Sequence, residues 1–492
     1  MKTKAISLVC IFSFLGGCQN FNQTVSSENA IEALKLEKAT WSSQINKLRF
    51  DNDDWLKNLN DPRLNQYVDI ALKNNFSLQA NASQLAAQLK NVRISAARLW
   101  PSLDFSFRKN KIENETSLST NNSVDNTSSS ASANNVTINS NSSYDTSLNI
   151  SWEIDLWQRL TAQKKADAKS AQASAEDFQA ARLSLVASVA RAWFNINSQK
   201  LRVDIAEKRL STIKETLEIV EEQYINGSQS ALNVYLNRAD YSSQQANILE
   251  IKNALHSSIR DFRILLGEYP NIDLNLNAKL PEITQPVPAG LPAELVLRRP
   301  DVKADLYEWQ ATAYDAAAAH RARFPTFSLT ASYGASSDRL STLSDKSLLW
   351  NIVNNISQPL FKGGELKARA DAAKYLQDAS FKLYLSTLLN SFNEVETALS
   401  TETNLKQQLI LIIDAESLNQ SGYELALDQY REGITSYLNL LEAQRRWFDA
   451  QTQLINLKNN LLQNRITLNL ALGGDFKTKA EKCPCKSLDQ DP

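Results

Sequence analysis

The chain has 492 residues, and its 53 basic against 54 acidic side chains give a formal net charge of -1. Such a length ordinarily holds two to four domains, and such a balance speaks against a nucleic-acid partner, which needs a concentrated basic surface. Gly and Pro number only 12 each, where average usage would put roughly 34 and 25, so most of the chain runs in uninterrupted regular structure.

Lys2 and Lys4 precede an apolar run from Ala5 to Leu15, and Leu15-Gly16-Gly17-Cys18 follows. Residues 1–17 read as a secretory signal, too short to span a membrane permanently. The "LGGC" closing it resembles a bacterial lipobox, which makes Cys18 the expected lipid-modified mature N-terminus, although Gly16 is an unusual occupant of its place. An ordinary signal peptide with an incidental Cys18 stays open. Gln19, rather than Asp, resembles an outer-membrane address among lipoproteins. One acyl chain holds a membrane only marginally, so stable residence of the anchored 18–60 segment needs a second attachment.

Beyond this start the chain repeats itself. "ARLWPSLDFSF" (Ala97 to Phe107) matches "ARFPTFSLTASY" (Ala322 to Tyr333), with Trp100-Pro101 over Phe324-Pro325. "DLWQRLTAQKKADA" matches "PLFKGGELKARADA", with Leu156-Trp157 over Leu360-Phe361 and Asp167 over Asp371. "EQYINGSQSALNVYL" (Glu222 to Leu236) matches "DQYREGITSYLNLLE" (Asp428 to Glu442), and Leu266-Gly267 matches Leu472-Gly473. Four landmarks in one order mark a duplication, with copies expected at 61–282 and 283–476 and a disordered tail at 477–492. The offset between copies is 224 before the first strand region and falls to 204 after it, so the first copy holds about 20 more residues. They lie in "NETSLSTNNSVDNTSSSASANNVTINSNSS", whose Asn/Ser-rich composition reads as a solvated loop.

Each copy reads as helix, strand, loop, strand, very long helix, tight turn, long helix. Tyr144, Thr146, Leu148, Ile150, Trp152, Ile154 and Leu156 alternate with polar residues in the period of a strand. Leu103, Phe105 and Phe107 do the same, as do Phe327, Leu329, Ala331 and Tyr333; Trp350, Ile352, Asn354 and Ile356 form a less regular fourth. From Gln158 to Tyr224 there is neither Gly nor Pro, and Leu210, Ile213, Leu217, Val220 and Tyr224 step by three and four. Leu385, Leu388, Phe392, Val395 and Leu399 repeat the rhythm. That seven-residue repeat marks coiled-coil packing, and roughly 67 residues make a rod of about 100 Å. Gly227 and Gly433 sit at the helix stops, and Ser230 and Ser436 are reasonable caps for the returning helices.

The expected fold is mainly α with a small β part. Four strands of about ten residues have the length and pattern of membrane-spanning staves. Four cannot close on themselves, and lipid does not tolerate unpaired edges. Eight strands enclose a lumen filled by side chains, whereas three chains would supply twelve and leave it open. Each strand-to-helix junction then marks where the molecule leaves the lipid.

"GLPAELVLRRPDVKADLYEWQATAYDAAAAHRARFPTFSLTASYG" (Gly290 to Gly334) and "YREGITSYLNLLEAQRRWFDAQTQL" (Tyr430 to Leu454) resemble the two signatures of TolC-like outer-membrane efflux factors, in their NodT or OprM lipoprotein branch. The resemblance covers nearly everything after Cys18. It implies a homotrimer, with a 12-stranded barrel in outer-membrane lipid continuous with a periplasmic α-helical barrel. It further implies a periplasmic adaptor and a proton-driven inner-membrane pump as partners, and no chemistry on the cargo. In the family, acidic residues and inter-helix hydrogen bonds close a gate at the periplasmic helix ends. The matching segment places Asp428 as the constriction acid and Arg431, on the same helix face, as its tether. Glu222 is its counterpart in the first copy, and Tyr224 and Tyr430 supply the hydrogen bonds expected to hold the tips together. A solvated helix end with an ordinary ion pair is the plainer alternative.

"LRRPD" (Leu297 to Asp301) reads as structural, with Pro300 at a helix start and Asp301 beside its N-terminus. His256 and His320 sit in separate helical stretches and read as packed or solvated residues rather than ligands. No catalytic motif appears, so neither an enzyme nor a cofactor is expected. Cys483 and Cys485 in "KCPCK" are either a disordered end or a site for a soft metal. The alternative function is a lipid-anchored coiled-coil structural protein of the periplasm without a pore.

Overall fold

The computed structural model describes residues 26–34, 55–56, 59, 61–117, 136–276, 279–283, 298–344 and 348–474. Cys18, Cys483 and Cys485 lie outside them. Among the described residues the order is α1 (Ser27–Ala33), α2 (Pro62–Asn74), α3 (Phe76–Ala97), β1 (Ser102–Ser117), β2 (Val136–Ile154), α4 (Arg159–Ile225), α5 (Ala231–Leu265), α6 (Pro300–Arg321), β3 (Thr326–Ser337), β4 (Leu349–Ser357), α7 (Glu365–Arg431) and α8 (Tyr437–Ala471).

The backbone divides into two compact units. One comprises Leu89–Lys169 and Gln310–Asp378 and carries the strands; described parts of Thr24–Gln88, Ser170–Trp309 and Ala379–Pro492 make the other. Each unit takes segments from both copies of the repeat, because strands pair with strands and helices bury their stripes on helices.

In the strand-bearing unit the four strands form one antiparallel sheet in the order β1-β2-β3-β4. Two expectations change here. Leu156 falls outside β2, which ends at Ile154. The chain breaks there because the carboxylate of Asp155 accepts hydrogen bonds from the backbone N–H groups of Leu160 (3.0 Å) and Thr161 (2.7 Å), starting α4. The Asn/Ser-rich segment is not all loop: Asn114–Ser117 and Val136–Ser143 belong to β1 and β2. Pairing continues from Ser102 opposite Ser151 out to Ser117 opposite Val136, since backbone hydrogen bonds propagate whether or not side chains are apolar.

α4 and α7 each span 67 residues, their first turns belonging to the strand-bearing unit and the rest to the second, and α5 and α8 of the second unit each span 35. Heptad positions of α4 and α7 turn inward: Ile213, Val220, Leu388, Val395 and Leu399 are at most 2% exposed. The largest cluster gathers Trp193, Phe194, Phe262 and Leu266 around α2, whose Leu64 and Val68 are buried with them. Asp61 caps α2, accepting from the N–H groups of Arg63 (2.9 Å) and Leu64 (3.4 Å) and from the Trp193 indole (2.6 Å). Both hairpin turns are left-handed at glycine, Gly227 and Gly433 each having φ of 75°. The amides of Ser228 and Ile434 reach back to Gln223 and Gln429 carbonyls, satisfying the helix ends. Of the two expected serine caps, Ser436 accepts from the Asn439 N–H (3.4 Å), whereas Ser230 makes no side-chain cap bond.

The repeat offset also needs correction. Helix starts at 159 and 365, and again at 231 and 437, place the copies 206 apart after the strands. The hairpins agree, because Ser102 pairs with Ser151 as Thr326 pairs with Ser357. So do the left-handed residues Gln158 (φ 61°) and Gly364 (φ 85°). Position 363 rather than Phe361 is therefore the counterpart of Trp157, and position 373 rather than Asp371 that of Asp167. Chemical likeness between Leu-Trp and Leu-Phe shifted the alignment by two.

Candidate functional site

The sheet has two unlike faces and two bare edges. Register brings Leu103, Ile150, Ala331 and Ile352 into one row, and Phe105, Leu148, Tyr333 and Trp350 into the next. These side chains stand out from the molecule, with Phe105 69% and Trp350 73% exposed. A row of large exposed apolar groups is what a lipid-facing stave presents. On the opposite face Ser106 and Ser147 share a hydrogen bond of 2.8 Å, and the Asn149 amide donates to both hydroxyls. Among the described residues, β1 pairs only with β2 and β4 only with β3. Both outer edges keep free backbone groups.

At the base of the sheet, Trp157 donates to the Pro325 carbonyl (2.8 Å) and its ring lies 5.3 Å from that of Phe324. Arg159 holds Glu153 at 2.7 Å, and Arg321 donates to the Gln158 carbonyl (2.9 Å). The strand-to-helix joint is thus cross-tied to the end of α6 and the residues just before β3.

In the helical unit the hairpin ends hold the expected gate residues in unlike settings. Asp428 and Arg431 side chains are 72% and 56% exposed, with Nη1 and Oδ1 3.9 Å apart, one helical turn from each other. Glu222 is exposed and Tyr224 is 48% exposed. Tyr430, its counterpart, is 1% exposed and packs edge-on to Tyr437, ring centres 6.2 Å apart. The Tyr430 hydroxyl is buried without a hydrogen-bond partner, so within the chain this residue holds the tip by its ring. Burial pushes its phenol, and that of Tyr437, above the ordinary range.

Two charged clusters escaped the sequence reading as partners. Arg299 binds Asp301 (2.6 Å), Glu394 (2.6 Å) and the Ala471 carbonyl (3.2 Å), tying the start of α6 to α7 and the end of α8. Burial alone would raise the Asp301 carboxyl, but the Arg299 guanidinium more than offsets it and holds the group below its ordinary value. Arg465 of α8 meets Glu402 of α7 at 2.5 Å, both about nine-tenths buried. Only separations of 95 and 63 residues connect these partners, and no spacing rule reaches that far. Pro300 and Asp301 do open α6.

His320 packs edge-on to Phe324, ring centres 5.8 Å apart, and His256 is half-buried on α5. Among the described residues no group of three or more His, Cys, Asp or Glu side chains is placed to hold a metal, and no helix is long and apolar enough to cross a membrane.

One unit of long paired helices and another whose short sheet has one lipid-type face define a class: outer-membrane channels that continue into helical tunnels. The chain belongs to the outer membrane efflux protein family, which matches residues 67–268 and 291–474. It is 28% identical over 424 residues to a probable efflux pump outer membrane protein, SepC of Pseudomonas putida, covering 86% of this chain and 85% of that protein. A probable efflux pump outer membrane protein of the same species, TtgC, is 28% identical over 480 residues, 97% of this chain and 96% of the relative. The crystal structure of the Campylobacter jejuni CmeC outer membrane channel superposes with a TM-score of 0.78 at 25% identity, covering 91% of this chain and 93% of that one. The chain is the outer-membrane channel component of a tripartite efflux pump.

Proposed function

We propose that three copies close a twelve-stranded barrel in the outer membrane, and that cargo leaves the cell through its lumen. The two bare sheet edges carry this reading. Four strands running alternately up and down leave β1 and β4 antiparallel, so β4 of one copy can pair with β1 of the next under simple rotation. Closure removes every unpaired edge from the lipid. The helices support it independently. Ile205 and Ile219 of α4 pack against the cluster around Tyr430, Tyr437 and Trp447, whereas their counterparts on α7, Leu411 and Leu425, are 68% and 59% exposed. Leu376, Leu383 and Leu418 share that seven-residue phase and are 64–66% exposed. Such a stripe is the open half of a coiled-coil seam.

The finer reading adds a lipid anchor at Cys18, a periplasmic adaptor at the tunnel end, and a proton-driven inner-membrane pump behind it. No reaction is performed on the cargo. Asp428 from each copy rings the periplasmic opening, favouring cations there, with Arg431 holding it loosely and Glu222 and Tyr224 lining the neighbouring tips. A poreless coiled-coil protein leaves the apolar sheet face unexplained. Purified protein in a planar bilayer should conduct in discrete single-channel steps. A Cys18→Ala variant should still require detergent for extraction. Protein that is monomeric by light scattering and silent in the bilayer would refute the barrel.

A further inference from the structure

The internal duplication defines which residues meet across the joint between copies. Within the chain, β2 of the first copy pairs with β3 of the second, Ile150 opposite Ala331 and Ile154 opposite Phe327. The joint between chains brings together the corresponding strands, β4 and the next β1. Offsets of 206 for β2 onto β4 and 224 for β1 onto β3 convert one register into the other. Ile150 becomes Ile356 and Ala331 becomes Phe107; Ile154 becomes Leu360 and Phe327 becomes Leu103.

We infer that β4 pairs with a neighbouring copy's β1 in the register that sets Ile356 opposite Phe107 and Leu360 opposite Leu103. The inference rests on the trimer reading and adds the register to it. The side chains bear it out by fit. Leu103 is 66%, Phe107 53%, Ile356 66% and Leu360 93% exposed in the single chain, and this register buries the four against one another as two apolar cross-strand pairs. The same register sets Gln358 opposite Phe105, one mixed pair, whereas a slip of two residues would set Gln358 opposite Leu103 and Asn354 opposite Phe107, two mixed pairs, and keep one apolar pair, Ile356 with Phe105. A slip of one would turn the apolar face of one strand toward the polar face of its neighbour. Leu360 lies past Ser357, the last residue of β4, with Pro359 between them, so its pairing with Leu103 extends the strand beyond that end.

The joint between copies lacks the ties of the joint within the chain. Trp157 and Arg321, which donate to Pro325 and Gln158, correspond to position 363 and to Ala97, which have no side-chain donor. Strand register and apolar contact therefore carry the seam.

Paired cysteines test this in full-length protein with Cys483 and Cys485 replaced by Ser. Opposed residues on antiparallel strands have Cβ atoms about 4.5–5.5 Å apart, while diagonal ones stand about 7–8 Å apart. F107C/I356C should convert under mild oxidation almost wholly to a covalent trimer band, and F105C/I356C should stay monomeric on a denaturing gel. Covalent trimers from F105C/I356C instead would overturn the register and leave the trimer standing. No cross-link in either variant, with a trimeric mass by light scattering, would overturn the seam. No cross-link with a monomeric mass would remove the trimer as well.

Discussion

Glu402 and Arg465 join α7 to α8 through a contact of 2.5 Å, their side chains 10% and 8% exposed. Burial lowers the Arg465 pKa, which means the fold already opposes its charge. Glu402→Ala would leave that guanidinium buried beside a cavity and without its carboxylate. Breaking such a pair from one side costs about 3–5 kcal/mol. Lys406, which also reaches Glu402 at 2.8 Å, is 38% exposed and turns to solvent in the variant, adding little. Replacing both partners by Met removes the charges together and should return stability to within about 1 kcal/mol of the parent. Urea unfolding of the detergent-solubilised protein, followed by tryptophan fluorescence to which Trp447 contributes, reads both. That indole packs on Tyr423 and Phe448 in the same hairpin, ring centres 5.0 and 4.8 Å away. A Glu402→Ala cost below about 1 kcal/mol, or a double variant as unstable as the single, would refute the reasoning, since one-sided loss is what makes a buried pair costly.

Four further outcomes follow from the hairpin ends and the α6 start. Tyr430→Phe should raise stability by about 1 kcal/mol, because it deletes a buried hydroxyl without a partner, and should leave single-channel conductance unchanged; a jump in conductance would make that hydroxyl a closing bond. Asp428→Asn should move the reversal potential in a salt gradient toward zero, and an unmoved potential would place Asp428 off the pore. Arg431→Ala should change stability by under about 1 kcal/mol, as an exposed ion pair does. Asp301, held below its ordinary value by Arg299, favours the fold above pH ~4 and loses that contribution as the pH falls toward its folded value. Asp301→Asn should therefore lower the unfolding midpoint at pH 7 and flatten its decline below pH ~4; an identical decline would assign the acid sensitivity elsewhere.

What was legible in the chain was what local periodicity encodes. Alternation from Tyr144 to Ile154 and three-four steps from Leu210 to Val220 each report a face that repeats every few residues, and the structure follows them. Pro300 and Gly433 were readable for the same reason, since each acts on its own backbone. What escaped depends on neighbours distant in sequence: the Arg299–Glu394 and Arg465–Glu402 pairs, and the burial of Tyr430. Tyr224 and Tyr430 make the point sharply. They occupy one place in the repeat, three residues before a left-handed glycine, yet one is 48% and the other 1% exposed. The local code is the same, so the difference arises from what each copy packs against. Tyr430 clusters with Val220 and Val234 of the other hairpin of its own chain, while Tyr224 joins no buried cluster among the described residues. The same asymmetry recurs at Ile219 against Leu425, and at paired β2 against half-bare β4. A duplication inside one chain satisfies one junction between the copies and necessarily leaves its counterpart open at the far side. An open junction that is apolar, in register and matched to the chain's opposite edge is satisfied by another molecule of the same kind, and a ring of them is how such a chain comes to enclose water.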